Sequence, residues 1–263
     1  MRFYISIFIL FINILYSQSD SLKSQYEVIY KFKCLDDTLS KNIASEENLS
    51  LLIKNHKSLF RSTQKAKSDS IATTIGMKAV NNAINGRVVV DMRNVPGVYF
   101  KSEVFLDNGK QTVYKELMRN KFSYPLDDPI LWKIESEAKI IESYVCRKAT
   151  GKYKGRHYIA WFTKSIAIPD GPYVFKGLPG LILEVYDLND TIHFSMISFT
   201  KTIKPMILMK DAFATKYSNF YKARKDMIEN AAGMLSSQTG ITLNPNDIMR
   251  INNNAKRNNN YLD

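Results

Sequence analysis

Few side chains in this sequence are suited to proton transfer. There are three histidines, His56, His157 and His193, and Ser165, Asp170 and Glu184 lie near the last two in the chain. Together they sketch a hydrolytic set in which a carboxylate orients an imidazole that activates a hydroxyl. The local patterns argue against it. No serine sits in a G-x-S-x-G elbow, the corner that exposes a nucleophile. A histidine at alternating strand spacing is ordinarily a surface or hydrogen-bonded residue. Asp170 falls in Pro169-Asp170-Gly171-Pro172, where an aspartate caps a turn through its side chain. The expectation is a protein without catalytic residues, and a hydrolase using Asp170 with His157 or Glu184 is the minor alternative.

Metal and cofactor chemistry have no better footing. The chain has two cysteines, Cys34 and Cys146, and no C-x-x-C, H-E-x-x-H or paired His/Cys spacing, so neither a metal nor a cofactor is expected. In an oxidising compartment the two could form a disulfide, and two buried thiols are the alternative. Gly151-Lys152-Tyr153-Lys154-Gly155 has glycines and lysines but no P-loop pattern, and it joins two apparent strands, so it reads as a hairpin turn.

The stretch 144–187 is the densest in aromatics, glycines and prolines, and its centre is Gly177-Leu178-Pro179-Gly180-Leu181-Ile182. Pro179-Gly180 predicts a type II turn, with proline presetting φ and glycine taking the positive φ that follows. Leu178, before a proline, is pushed to an extended conformation. Gly177 leaves room for a close backbone approach. Trp161, Tyr173, Phe175 and Leu178 surround this corner, where they either line a ligand pocket or fill core.

The elements that would hold these residues are mostly strands. Residues 26–34 alternate, with Tyr26, Val28, Tyr30, Phe32 and Cys34 on one face. Further strands are predicted over 47–54, 57–61, 87–92, 98–106, 111–118, 121–126 and 141–149, with a short one over 131–134. They continue over 156–163, 181–186 and 191–202. The segment 65–83 reads as a helix weakened by Thr73, Thr74 and Gly76. In the last hairpin Leu181, Leu183 and Val185 face Ile192, Phe194 and Met196, leaving Glu184, His193 and Ser195 on the other side. Residues 211–235 carry Phe213, Tyr217, Phe220, Tyr221, Arg224, Met227, Ile228 and Ala231 at helical spacing, with Asp211 as its cap and Gly233 at its end. Asn244-Pro245 starts a short further helix. The Asn-rich residues 241–263 read as a polar, frayed tail. The fold class is α+β and mainly antiparallel: a strongly curved meander or unclosed barrel with a C-terminal helix packed across it.

Arg2 followed by an apolar run over 3–16, then Ser17-Gln18-Ser19, predicts an export signal over 1–19 and a single domain over 20–240. Without the signal, 36 basic and 25 acidic residues remain, a net charge of +11. The basic residues are scattered, so a nucleic-acid partner is not expected, and no second apolar run approaches spanning length.

GLPGLI at 177–182 resembles the signature of the GLPGLI family, exported proteins of Gram-negative bacteria with unknown function. The resemblance extends to Cys146-Arg147-Lys148-Ala149, Gly155-Arg156, Ala160-Trp161-Phe162-Thr163, Ile168-Pro169 and Gly171-Pro172-Tyr173. It implies export to the periplasm or cell envelope and brings no catalytic residues. The layout also resembles the unclosed barrel of periplasmic lipoprotein carriers. The function expected is binding of a lipid or other apolar or amphipathic envelope ligand within the curved sheet. A non-catalytic module for a protein or glycan partner is the alternative.

Overall fold

The structure is a computed structural model, and it describes residues 22–35, 37–38, 44–81, 91, 93–118, 120–257 and 260–263. The predicted signal at 1–19 lies outside them, as does the strand predicted over 87–92, Asp91 excepted. The strands are β1 (Tyr26–Leu35), β2 (Ala44–Lys54), β3 (Lys57–Ser62), β4 (Ser102–Asp107), β5 (Lys110–Leu117) and β6 (Asn120–Pro125). They continue as β7 (Lys133–Ile141), β8 (Tyr144–Tyr153), β9 (Arg156–Thr163), β10 (Leu181–Asp187), β11 (Ile192–Lys201) and β12 (Phe213–Ala214). Helix α1 (Lys65–Asn81) interrupts the meander, and α2 (Tyr217–Glu229), α3 (Ala231–Thr239) and α4 (Pro245–Arg257) follow it.

All twelve strands form one sheet in the order β12-β6-β5-β4-β3-β2-β1-β11-β10-β9-β8-β7. Neighbours are antiparallel except β12, which runs parallel to β6. The sheet is unclosed and strongly curled. In a flat sheet Tyr124 on β6 and Lys154, next to the end of β8, would lie about 43 Å apart at about 4.8 Å per strand. Both instead meet Tyr217: its ring centroid is 5.5 Å from that of Tyr124 and 3.8 Å from Lys154 Nζ.

The curl encloses the core. The predicted face of β1 is buried, with Val28, Tyr30, Phe32 and Cys34 at 0–2% exposure. Leu181, Leu183, Val185, Ile192, Phe194 and Met196 are buried as the last hairpin required. Phe32, Phe60, Phe100 and Phe194 meet one another largely edge-on, with centroids 4.7–6.4 Å apart. Each fully buried ring contributes about 1.5–3 kcal/mol, and the edge-to-face contacts add to that. A second, smaller cluster of Leu52, Leu59 and Met206 lies apart from this core.

Several elements depart from the sequence expectation. The strand predicted over 98–106 begins only at Ser102. The buried Glu47 carboxylate accepts from the N–H groups of Tyr99 and Phe100, both at 2.8 Å, which holds that segment out of the ladder. A whole strand, β7, runs where only a short one was expected. Its turn is Glu142-Ser143, both at positive φ (46° and 69°), a pair without the usual asparagine or glycine. The single helix over 211–235 is two helices. Residues 213–214 join the sheet as β12, and Asp211, at φ 59°, caps nothing. Asn230 breaks the run and caps α3 by accepting from Gly233 N–H at 3.2 Å, and Gly240 at φ 70° ends α3. The expected frayed tail is ordered: α4 fills 245–257, its Asn252 side chain accepts from Ala232 N–H at 2.9 Å, and Asn260 is buried.

The signature corner is built differently from a type II turn. Gly180 N–H donates to Leu178 O at 2.8 Å, a three-residue turn around Pro179. Gly177 supplies φ 91° with open space around it, so its role is conformation and not close approach. Gly180 supplies both: φ is 148°, and a Cβ there would lie 2.0 Å from Thr163 O. Gly180→Ala should therefore destabilise the protein by about 2–4 kcal/mol, combining strain with backbone overlap. Gly177→Ala should cost about 1 kcal/mol, from strain alone. Urea unfolding of the two variants checks this, and equal losses would contradict the packing described.

Candidate functional site

Between β9 and β10 the loop 164–180 folds inward and carries the signature. Leu181 N–H donates to Ile166 O at 3.1 Å and Ile182 N–H to Asp170 O at 3.0 Å, so its two arms are zipped together. Asp170 and Lys176 form an ion pair with both side chains at 4% exposure. The Asp170 carboxylate also accepts from Gly171 N–H at 2.7 Å, and Lys176 Nζ donates to Gly171 O at 3.0 Å. Trp132 Nε1 donates to Lys176 O at 2.9 Å, and the buried Tyr30 hydroxyl to Ile182 O at 2.7 Å. Asp170 caps its turn, as its sequence context predicts.

The four residues around the signature, Trp161, Tyr173, Phe175 and Leu178, belong to one buried hydrophobic cluster. Tyr173, Phe175 and Leu178 are buried in the main core, where the Phe175 ring meets those of Tyr158, Tyr173 and Phe194 at 4.6–6.3 Å. Trp161, at 7% exposure, stands on the face of β9 opposite Ala160 and Phe162. There Lys139 Nζ lies 4.5 Å over its ring, and its Nε1 donates to Tyr186 Oη at 3.4 Å.

That outer face also holds one carboxylate–imidazole constellation. Glu184 contacts His193 Nε2 at 3.1 Å and is paired with Lys139, while Asp190 contacts Nδ1 at 2.6 Å. The His193 ring stacks on Tyr186 with centroids 5.0 Å apart. Burial alone would lower the His193 pKa, but its hydrogen bonds to the Glu184 and Asp190 carboxylates outweigh it and hold the imidazole above its ordinary 6.5. His157 and Asp170 sit at opposite ends of the β9–β10 ladder, beside the 158–187 and 163–181 pairings respectively. No bond joins the cysteines. Cys34 is on β1, where Asn260 Nδ2 donates to its Sγ at 3.4 Å. Cys146 is on β8, with three strands between it and β1 in the sheet, and burial pushes its thiol up to about 11. The disulfide expectation is therefore replaced by its alternative, two buried and separated thiols.

The clearest concentration of polar groups at a concave surface lies elsewhere, at the mouth of the curl. A cleft of about 420 Å³ is lined by Phe32, Phe100, Leu117, Phe220 and Met227 and floored by Lys115, Arg224 and Asp263. Helix α2 closes one wall, its Phe220 ring 5.8 Å from Phe122 and 5.4 Å from Tyr124. Lys115 Nζ and Arg224 Nη1 meet Asp263 Oδ1 at 3.1 and 2.9 Å. Arg224 also donates to the Asp263 main-chain oxygen. Tyr124 donates to Asp263 Oδ2, and the Tyr173 hydroxyl approaches the same oxygen at 3.4 Å. Burial would raise the Asp263 pKa, but Lys115 and Arg224 prevail and hold it below the ordinary carboxylate value. Burial depresses the Lys115 ammonium, and Asp263 only partly restores it.

Sequence reasoning missed Lys115, Tyr124, Phe100 and Asp263 as one site. Two signals were present. Lys115 occupies the inward phase of β5 two residues after the buried Val113, and Arg224 lies on the apolar stripe of α2. A cation in an apolar phase requires a buried counter-anion.

Fold and cleft define a mainly antiparallel α+β protein with an unclosed sheet and C-terminal helices. Residues 152–184 match a family described as "Protein of unknown function (Porph_ging)", which is related to the GLPGLI proteins. No curated protein matches the sequence. Among solved structures it is similar to PNGF-II in two crystal forms, C2 and P21, at 14% identity and TM-scores of 0.48 and 0.49. The match covers 75% of this chain and 32% of that one, so the chain spans about a third of that protein's length. No helix among the described residues is long and apolar enough to cross a membrane.

Asp170→Asn leaves Lys176 buried without its counter-charge and should lower stability by about 3–5 kcal/mol, read as a shift in the urea midpoint. His193 is raised in the fold, so its contribution to stability is complete below pH 6.5 and is lost as pH rises through the higher folded value. His193→Gln should flatten the dependence of the unfolding midpoint on pH above 6.5, and an unchanged slope would show that the contacts with Glu184 and Asp190 do not hold in solution.

Proposed function

We propose that the protein is a non-catalytic binder of an apolar or amphipathic ligand, seated in the cleft at the mouth of the curled sheet. The observation that carries this reading is the composition of the cleft: an aromatic and aliphatic wall from Phe32, Phe100, Leu117, Phe220 and Met227 above a buried cationic floor. Sites for small ligands are largely apolar concavities with a few placed polar groups, and this cleft has that form. The expected pocket beside 161–181 is replaced by the mouth, because Tyr173, Phe175 and Leu178 are core.

In this reading the chain is a GLPGLI-type protein exported to the periplasm or envelope of a Gram-negative bacterium. The apolar leader and the charge of +11 that remains after it support export and attraction to anionic envelope components. Native mass spectrometry of protein purified from its own host, without detergent, should show a stoichiometric adduct that organic solvent releases. A clean apo mass, together with no saturable binding of a fluorescent acyl probe, would overturn the reading.

A further inference from the structure

Part of the chain already lies in the cleft. Asn260 is anchored by its Nδ2, which donates to Leu35 O at 2.8 Å and Thr191 O at 3.1 Å. Tyr261 accepts from Arg156 through its carbonyl at 3.4 Å, and its ring lies 4.5 Å from the Arg224 guanidinium. Leu262 packs against the main core, and the Asp263 carboxylate enters the clasp. Two openings flank this segment, of about 420 and 510 Å³, and Arg224, Tyr261, Leu262 and Asp263 line both. The segment therefore partitions one larger groove.

The groove's chemistry suits what the segment presents, an apolar side chain followed by a carboxylate. Lys115 and Arg224, at 10% and 8% side-chain exposure, share the side-chain carboxylate of Asp263, and Arg224 also donates to its main-chain oxygen. Two phenols, Tyr124 and Tyr173, approach the other carboxylate oxygen. Lys154 and Arg156 line the second opening. The hydroxyl of Tyr158 is buried without a hydrogen-bond partner among the described residues. Buried cations demand a counter-charge, which a neutral head could not supply. The floor recognises a carboxylate, whichever molecule carries it.

We propose that residues 260–263 are a built-in stand-in for the ligand, and that the groove takes a carboxylate-headed amphiphile of the fatty-acid class, which displaces them. This deepens and rests on the ligand-binding reading above. Occupancy by the segment lowers the apparent affinity by the fraction of molecules in which the groove is open, so weakening the segment's hold should tighten binding.

The test uses the full chain, stripped of lipid, with laurate, dodecanol and dodecyl phosphate as probes. Laurate should bind saturably and speed amide exchange in the peptide containing 260–263, leaving β1 unchanged. Dodecanol should bind at least about tenfold more weakly, and Asp263→Ala should tighten laurate binding about tenfold or more, the expectation for an occupant held closed most of the time. Asp263→Asn, of the same shape, serves where Asp263→Ala does not fold, and the exchange measurement needs no variant. Laurate binding that leaves 260–263 protected, or unchanged or weaker binding by the Asp263 variants, would overturn the stand-in. Dodecanol equal to laurate, or dodecyl phosphate tighter than laurate, would overturn the carboxylate assignment while sparing the ligand-binding reading. Failure of all three probes to bind any form would bring down that reading itself.

Discussion

A sheet that curls this far must fill its own concavity, and most of the structure follows from how that is done. Strand side chains alone do not suffice. The loop 164–180 is drawn inside and contributes Tyr173, Val174, Phe175 and Leu178 to the core. Drawing main chain inside creates a second demand, because its N–H and C=O groups lose water and need partners. Trp132, Tyr30 and the Asp170–Lys176 pair meet that demand. The loop then leaves beneath Thr163 through Gly180, where a side chain has no space. The signature is therefore the passage by which chain leaves the core and resumes the sheet.

The two buried charge systems differ in kind. Asp170 and Lys176 form a closed pair: one cation, one anion, and spare valences spent on Gly171. Lys115 and Arg224 instead take their anion from Asp263, in a segment separated from the sheet by three helices. A balanced pair suits architecture. A carboxylate lent by a distant segment at an open cleft suits exchange for another anion, and the proposed site at the mouth rests on that difference.

Much of the sheet was legible in the sequence because alternation on a half-buried strand is a direct physical imprint. It located β1, the β8–β9 and β10–β11 hairpins, and their inward faces. Where other forces intervened it failed. Strand β7 has few buried positions, so its residues carry little periodicity, and Glu142-Ser143 hides a turn that Asn-Gly would announce. Asn230 divides the helical stripe because its side chain prefers capping to helix interior. The cleft was least legible. It joins β5, β6, the signature loop, α2 and residues 260–263, with Lys115 and Asp263 148 residues apart, and no local pattern records that meeting. The aromatics near the signature looked like a lining, and the structure uses most of them as filling.

The two rims of the sheet also matter. One ends in β12, two residues long and parallel to its neighbour; the other in β7, which carries Lys133, Glu135, Glu137 and Lys139 along with exposed Ile134 and Ile140. Lys148, on the neighbouring β8, lies 3.4 Å from Glu135 and 2.9 Å from Glu137. Short or charged borders give a neighbouring molecule no flat ladder to extend. An open ribbon of twelve strands has two borders where further strands could add, and a very short strand at one and paired charges at the other work against such addition.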